Sequence, residues 1–94
     1  MTEQEIIKTL KLEGFDKVWI YDAEPNEIDA EHSHDYDTKL HIVSGEIRIK
    51  KMMGGAVTDF LLKKDDQIEI PRNQSHSAKV GVEGCCYIVA ERHH

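Results

Sequence analysis

Cysteine is scarce: the 94 residues hold two, and these are neighbours, Cys85 and Cys86. Adjacent side chains on a strand leave opposite faces, so the pair is poorly placed to bridge and no disulfide framework is expected. That composition suits a reducing compartment, the cytoplasm. No long apolar run occurs, and the chain opens Met1-Thr2-Glu3-Gln4-Glu5 without a basic n-region. Neither a signal peptide nor a membrane span is therefore expected. Basic residues number 12 against 18 acidic ones, a formal net charge of -6. Such a chain is ill suited to nucleic acid or anionic membranes and tends to attract cations. The two prolines, Pro25 and Pro71, stand where strand patterns break. No strand–helix alternation, internal repeat or low-complexity linker is present. The closing His93-His94 reads as native sequence or the start of a purification tag and enters no motif.

What remains is an ordinary globular composition, 39% hydrophobic and 32% charged, of a length expected to form one domain over residues 1–94. Residues 2–13 read as a short amphipathic helix. Thr2 and Glu5 have capping-box spacing, Ile6, Ile7 and Leu10 share a face, and Gly14 is a plausible stop. From about 17 to 91 the pattern turns to strands. Val18–Tyr21, residues 38–43, 46–50, 57–62, 67–70, 76–80 and 85–90 alternate or are β-branched. Turn signals separate them, among them Ser44-Gly45, Gly54-Gly55 and Glu83-Gly84. Seven or eight short strands with close turns predict an all-β sandwich or small barrel.

Of six histidines, His32 and His34 stand at i and i+2, a spacing that on a strand sends both imidazoles from one face. His32, His34, Thr38, Leu40 and Ile42 share even parity, and His76 shares parity with Ala78 and Val80. If Leu40, Ile42 and Val80 face the core, the three histidines converge inward. Three neutral imidazoles suit a divalent transition metal (Zn, Fe, Ni, Mn, Co or Cu) and leave coordination positions open. The plainer alternative is a set of ordinary loop and core histidines.

The chain resembles a small single-domain cupin, a conserved barrel of the cupin 2 type. The family's first motif reads His-x-His, a short gap, Glu, then Gly. Here His32, His34 and Gly45 match, with Thr38 at the Glu position. In the second motif Pro71 and His76 match, while Asp65, Asn73 and Val80 replace two glycines and an asparagine. The resemblance spans roughly residues 31–80. It implies a double-stranded β-helix, or jelly roll, with a metal in the barrel mouth, and it implies a homodimer. At the metal it implies His32, His34 and His76 without the usual carboxylate, a set resembling those of thiol and diketone dioxygenases.

Around this site Thr38 is expected in a supporting position or holding a water. Tyr36 is expected to line the pocket or to pack as an aromatic or dimer contact. Asp35 and Asp37 are read as solvated loop acids or as partners of a ligand imidazole. Cys86 shares parity with Ile88 and Ala90 and is expected to face in, as a small buried hydrophobe or as a thiol near the metal. His41, Arg48 and Lys50 have outward parity, Met52 and Met53 read as packing or interface residues, and Trp19 and Tyr21 form a natural dimer patch if their face is exposed. The function these readings point to is a metal-dependent enzyme, of oxygenase or isomerase type, acting on a small polar molecule bound in the barrel. The alternative is a non-catalytic module that binds or senses a sugar or metabolite, with a structural or vestigial metal site.

Overall fold

A computed structural model describes residues 1–93; His94, half of the terminal histidine pair, lies outside the described residues. Helix α1 (Glu3–Leu12) begins at the Thr2 cap, where the Thr2 side chain and Glu5 satisfy each other's backbone amides. Six strands follow: β1 (Lys17–Ala23), β2 (Ile28–His32), β3 (Asp37–Met53), β4 (Ala56–Leu62), β5 (Gln67–Ile70) and β6 (His76–Arg92). All pairings are antiparallel.

The two 17-residue strands run through both layers of a jelly roll. The first half of β3 and the second half of β6 pair with each other and with β5 and β1. The second half of β3 and the first half of β6 pair with β4 and β2. Counted by layer, this gives four strand segments on each side, which matches the number of short strands expected from the sequence. Ser44-Gly45 and Glu83-Gly84, expected as turns, are instead kinks within continuous strands. The register shifts between Ile42 and Ser44 and again between Gly45 and Ile47. Gly45 (φ 76°) and Gly84 (φ 79°) lie against each other at the corner, in backbone conformations that favour glycine.

The kinks shift side-chain parity. Leu40 and Ile42 point inward before the corner, and Ile47 and Ile49 after it. In β6 Val80 points inward before the corner, and Cys85 and Tyr87 after it. These residues form the interior core with Leu62, Ile68 and Ile70. A second core lies on the outer face of one layer, where Ile6 and Leu10 of α1 and Phe15 cover Ile88 and Ala90. Each fully buried isoleucine contributes about 1.5–3 kcal/mol through burial, and Ile42, Ile47, Ile49 and Ile88 are all of this kind.

The second core corrects two expectations. His41 is buried rather than a surface residue, because the layer it belongs to is covered on both faces. Its Nε2 lies 3.5 Å from a carboxylate oxygen of Asp65. Cys86 is half-buried on the helix side, and the thiol in the barrel core is Cys85. On β1 Ile20 is 39% exposed, beside Trp19 at 40% and Tyr21 at 38%.

Candidate metal centre

His32 is the last residue of β2 and pairs directly with His76, the first residue of β6. A register shift between Asp29 and His32 brings the two rings to 4.3 Å between centroids. His34 follows in the loop before β3, its ring 4.7 Å from His32 and 5.1 Å from His76. One ring nitrogen from each of the three lies within 4.8 Å of the other two, close enough to share one ion. The expected triad is therefore assembled from two strand ends and a loop.

The loops are tied down by polar contacts. His34 O accepts from Asn73 N at 2.6 Å, Met52 N donates to Ser75 O, and Ser75 Oγ donates to Glu31 at 2.8 Å. Two departures from the cupin pattern make sense at this level. Asn73 (φ 67°) and Asp65 (φ 70°) stand where the family has glycine, and both occupy the left-handed region. Among non-glycine residues, Asn and Asp tolerate that region best. Asp37 does not reach a ring. It accepts from Arg72 N at 3.0 Å and lies 3.5 Å from Arg92, and the Arg72 contacts hold its carboxyl below the usual range. It fastens the segment before His76 to β3.

The hydrogen bonds of the outer nitrogens decide which tautomer each ring presents. His32 Nδ1 lies 2.7 Å from Ala30 O, and His76 Nδ1 3.0 Å from Gln74 O. A carbonyl only accepts, so both Nδ1 atoms carry the proton and both Nε2 lone pairs are free. His34 Nδ1 lies 2.8 Å from the Tyr36 hydroxyl, whose pKa is raised by burial and by the charge of Glu91. The buried His34 Nε2 has no hydrogen-bond partner among the described residues. A buried unsatisfied nitrogen costs about 1–3 kcal/mol, and coordination to a cation would satisfy it. Burial, with the neighbouring imidazoles adding to it, holds His34 and His76 below the ordinary histidine range, so both favour the neutral, ligating form. The donor set thus fits a divalent transition metal.

The remaining expected residues divide. Tyr36 joins the site, edge-on to His34 with centroids 4.7 Å apart. Thr38 is half-buried on β3, opposite Ile70 and Glu91, and borders a cavity of about 170 Å³ with Asp37, Pro71 and Arg92. Cys86 lies elsewhere, around a different cavity with Asp22, Ser44 and Gly84. Burial, with the Asp22 carboxylate nearby, pushes its thiol up to about 11, so it stays protonated at neutral pH.

Two residues went unremarked in the sequence. Lys51 continues the inward alternation Ile47-Ile49-Lys51 and stands opposite His76. Its ammonium donates to Glu69 O and lies 5.6 Å from the Phe60 ring centroid. Burial lowers its pKa, and its charge in turn helps depress His76. Glu91 belongs to the inward series of Cys85 and Tyr87, which the parity assigned to Cys86 had hidden.

No family model matches the chain. A nitrosourea synthase from Streptomyces achromogenes subsp. streptozoticus is 34% identical over 61 residues, which are 65% of this chain and 12% of that protein. The chain thus spans about an eighth of the curated relative it matches. Among solved structures, the Drosophila melanogaster CENP-C cupin domain superposes with a TM-score of 0.73 at 16% identity, over 81% of this chain and 60% of that one. CENP-C has also been solved bound to CAL1. Bacillus subtilis oxalate decarboxylase, a protein with Mn(II) centres, superposes with a TM-score of 0.76 at 16% identity, over 92% of this chain and 23% of that one.

Proposed function

The chain has the cupin fold, and we propose that it is a metal-binding cupin in which His32, His34 and His76 hold one divalent transition metal for chemistry on a small polar molecule. The observation that carries this reading is the convergence of one ring nitrogen from each histidine to within 4.8 Å, with the Nδ1 atoms of His32 and His76 tied to carbonyls and the buried Nε2 of His34 without a partner among the described residues. Three protein ligands are the donor count of a catalytic site rather than a closed structural one. A metal held there supplies a Lewis acid that polarises a substrate oxygen or sulfur at the open positions. The reaction class is an oxygenase or isomerase.

The protein's own groups shape what binds. Lys51 places a positive charge beside His76 and selects for a substrate with an anionic group. Phe60 and the interior isoleucines limit water around it. The cupin resemblance and the exposed run Trp19-Ile20-Tyr21 on β1, which ends the strand order, support a homodimer formed through that edge. Both cysteines are free, which supports a reducing, cytoplasmic setting. No helix among the described residues is long and apolar enough to cross a membrane.

The test is oxygen consumption and product analysis with small thiols, diketones and carboxylic acids, using protein loaded with each candidate metal. Turnover by the loaded protein and none by His76→Ala is the expected result. Stoichiometric metal with no turnover of any candidate would instead make the chain a binding module.

A further inference from the structure

We propose that Trp19 is a specificity-determining residue whose indole takes the apolar or aromatic part of an anion held at the metal centre. This rests on the metal reading above and deepens it by naming a substrate class, an anion that carries an aromatic or apolar group. The first observation is register. Across the β1–β6 pairing Trp19 is the direct partner of Val89, and Tyr21 that of Tyr87. Direct partners share a face of the sheet. Tyr87 belongs to the interior core and Val89 packs against it, so Trp19 and Tyr21 face the barrel interior. Ile20, the partner of Ile88, faces the helix side. The rings of Tyr21 and Tyr87 stand 5.5 Å apart on the inner face. Val89 also pairs with Leu40, and Leu40 with Ile68, so Trp19 ends an interior row of apolar side chains.

The second observation is position relative to the triad. The next interior row, Lys17–Glu91–Thr38–Ile70, lies beside the loop that carries His34. Trp19 is therefore one row, about 7 Å along the strand, from the metal end. The third observation is an opening. β1 and β2 both lie on the side of β6 away from β3, and among the described residues neither pairs with the other. Besides the turn that connects them, the Tyr21 hydroxyl donates to Glu27 at 2.8 Å, at the end of β1 away from the metal. β2, whose last residue is the ligand His32, is exposed along its whole length. Trp19 faces inward yet keeps 40% of its surface. The chain's single tryptophan thus stands on the open flank between the strand that carries His32 and the apolar interior row. Binding sites combine an apolar or aromatic wall with a few charged anchors, and an indole offers the widest such wall. Here Lys51 and the metal are the anchors and Trp19 is the wall.

The test uses protein loaded with Zn(II), with benzoate and acetate as probes, read by calorimetry and by the emission of Trp19, the sole tryptophan. The parent is expected to bind benzoate about 10-fold more tightly than acetate, the scale of one buried aromatic contact. Benzoate should change the tryptophan emission and acetate should not. Trp19→Ala should reduce the preference to about twofold or less, with zinc content and acetate affinity unchanged, and Trp19→Phe should keep part of it. Ile20→Lys, on the opposite face of the same strand, should keep the preference, which separates this role of Trp19 from dimer formation. A preference that survives Trp19→Ala, or a parent that binds acetate as well as benzoate, would overturn the role of Trp19 and leave the metal reading intact. Loss of the preference in Ile20→Lys would also overturn it, because the preference would then belong to the assembled dimer. Failure of the parent to hold Zn(II), or to bind either anion once loaded, would overturn it together with the reading of the site on which it rests.

Discussion

Replacing Gly45 with alanine tests the corner on which the inward positions of the second layer depend. A Cβ at Gly45 would lie 2.2 Å from Gly84 O, 2.9 Å from Cys85 Cα and 3.0 Å from Gly84 C. All three are backbone atoms, so no side-chain rotation relieves the clash. The left-handed φ of 76° adds a cost of about 1–2 kcal/mol for a residue with a Cβ. Forcing β3 and β6 apart adds about 1–3 kcal/mol, as for overpacking generally. The total is about 2–5 kcal/mol, a large share of the roughly 5–15 kcal/mol that holds a domain together. Gly54 is the control. Its φ is 56°, but a Cβ there meets nothing within 4 Å, so Gly54→Ala pays only the backbone term. For a domain of this size, 1 kcal/mol corresponds to about 4–8 °C in Tm. Thermal and urea unfolding should show Gly45→Ala losing at least about 10 °C or failing to fold, and Gly54→Ala losing about half as much or less. Equal losses for the two variants would refute the corner argument.

Further outcomes follow from the same geometry. His34 and His76 are held below their ordinary value of 6.5, chiefly by burial, so the unfolded chain takes up protons that the folded chain resists. Stability of the metal-free protein should therefore be fully present above about pH 6.5 and fall as pH drops below it; a flat profile between pH 7 and 5 would contradict this. Lys51→Met should weaken binding of acetate or oxalate to the metal-loaded protein by about 10–100-fold, the worth of one charge-assisted hydrogen bond. Calorimetry would read this, with metal content unchanged; undiminished affinity would remove Lys51 from the site. Trp19→Lys should convert the proposed dimer to a monomer in light scattering, and a dimer that survives the change would place the interface elsewhere.

The fold was legible in the sequence because its signals are local. Capping by Thr2 and Glu5, alternation in 38–43 and 67–70, and a breaker at Pro71 each need only a few neighbouring residues. The triad was legible for the same reason, since His32-x-His34 lies at a strand end and His76 continues the Ala78–Val80 face. Parity misled where it assumed a single core and unbroken alternation. Ile88 and Ala90 are buried against α1, so their parity placed Cys86 with them and concealed the inward series of Cys85, Tyr87 and Glu91. His41 was lost to the same second core. Gly45 and Gly84 looked like hairpin turns because a kinked strand and a turn make the same demand on φ; what separates them is long-range pairing between β3 and β6. Lys51 was within reach, through its alternation with Ile47 and Ile49, but went unremarked. Glu91 meets Thr38 only by the pairing of strands remote in sequence.

The most direct measurement is the metal content of protein produced without a polyhistidine tag, determined by elemental mass spectrometry beside His76→Ala. The account predicts about one divalent transition metal ion per chain in the parent, lost in the variant. Negligible metal in the parent after purification and after reloading, or equal metal in both proteins, would contradict it.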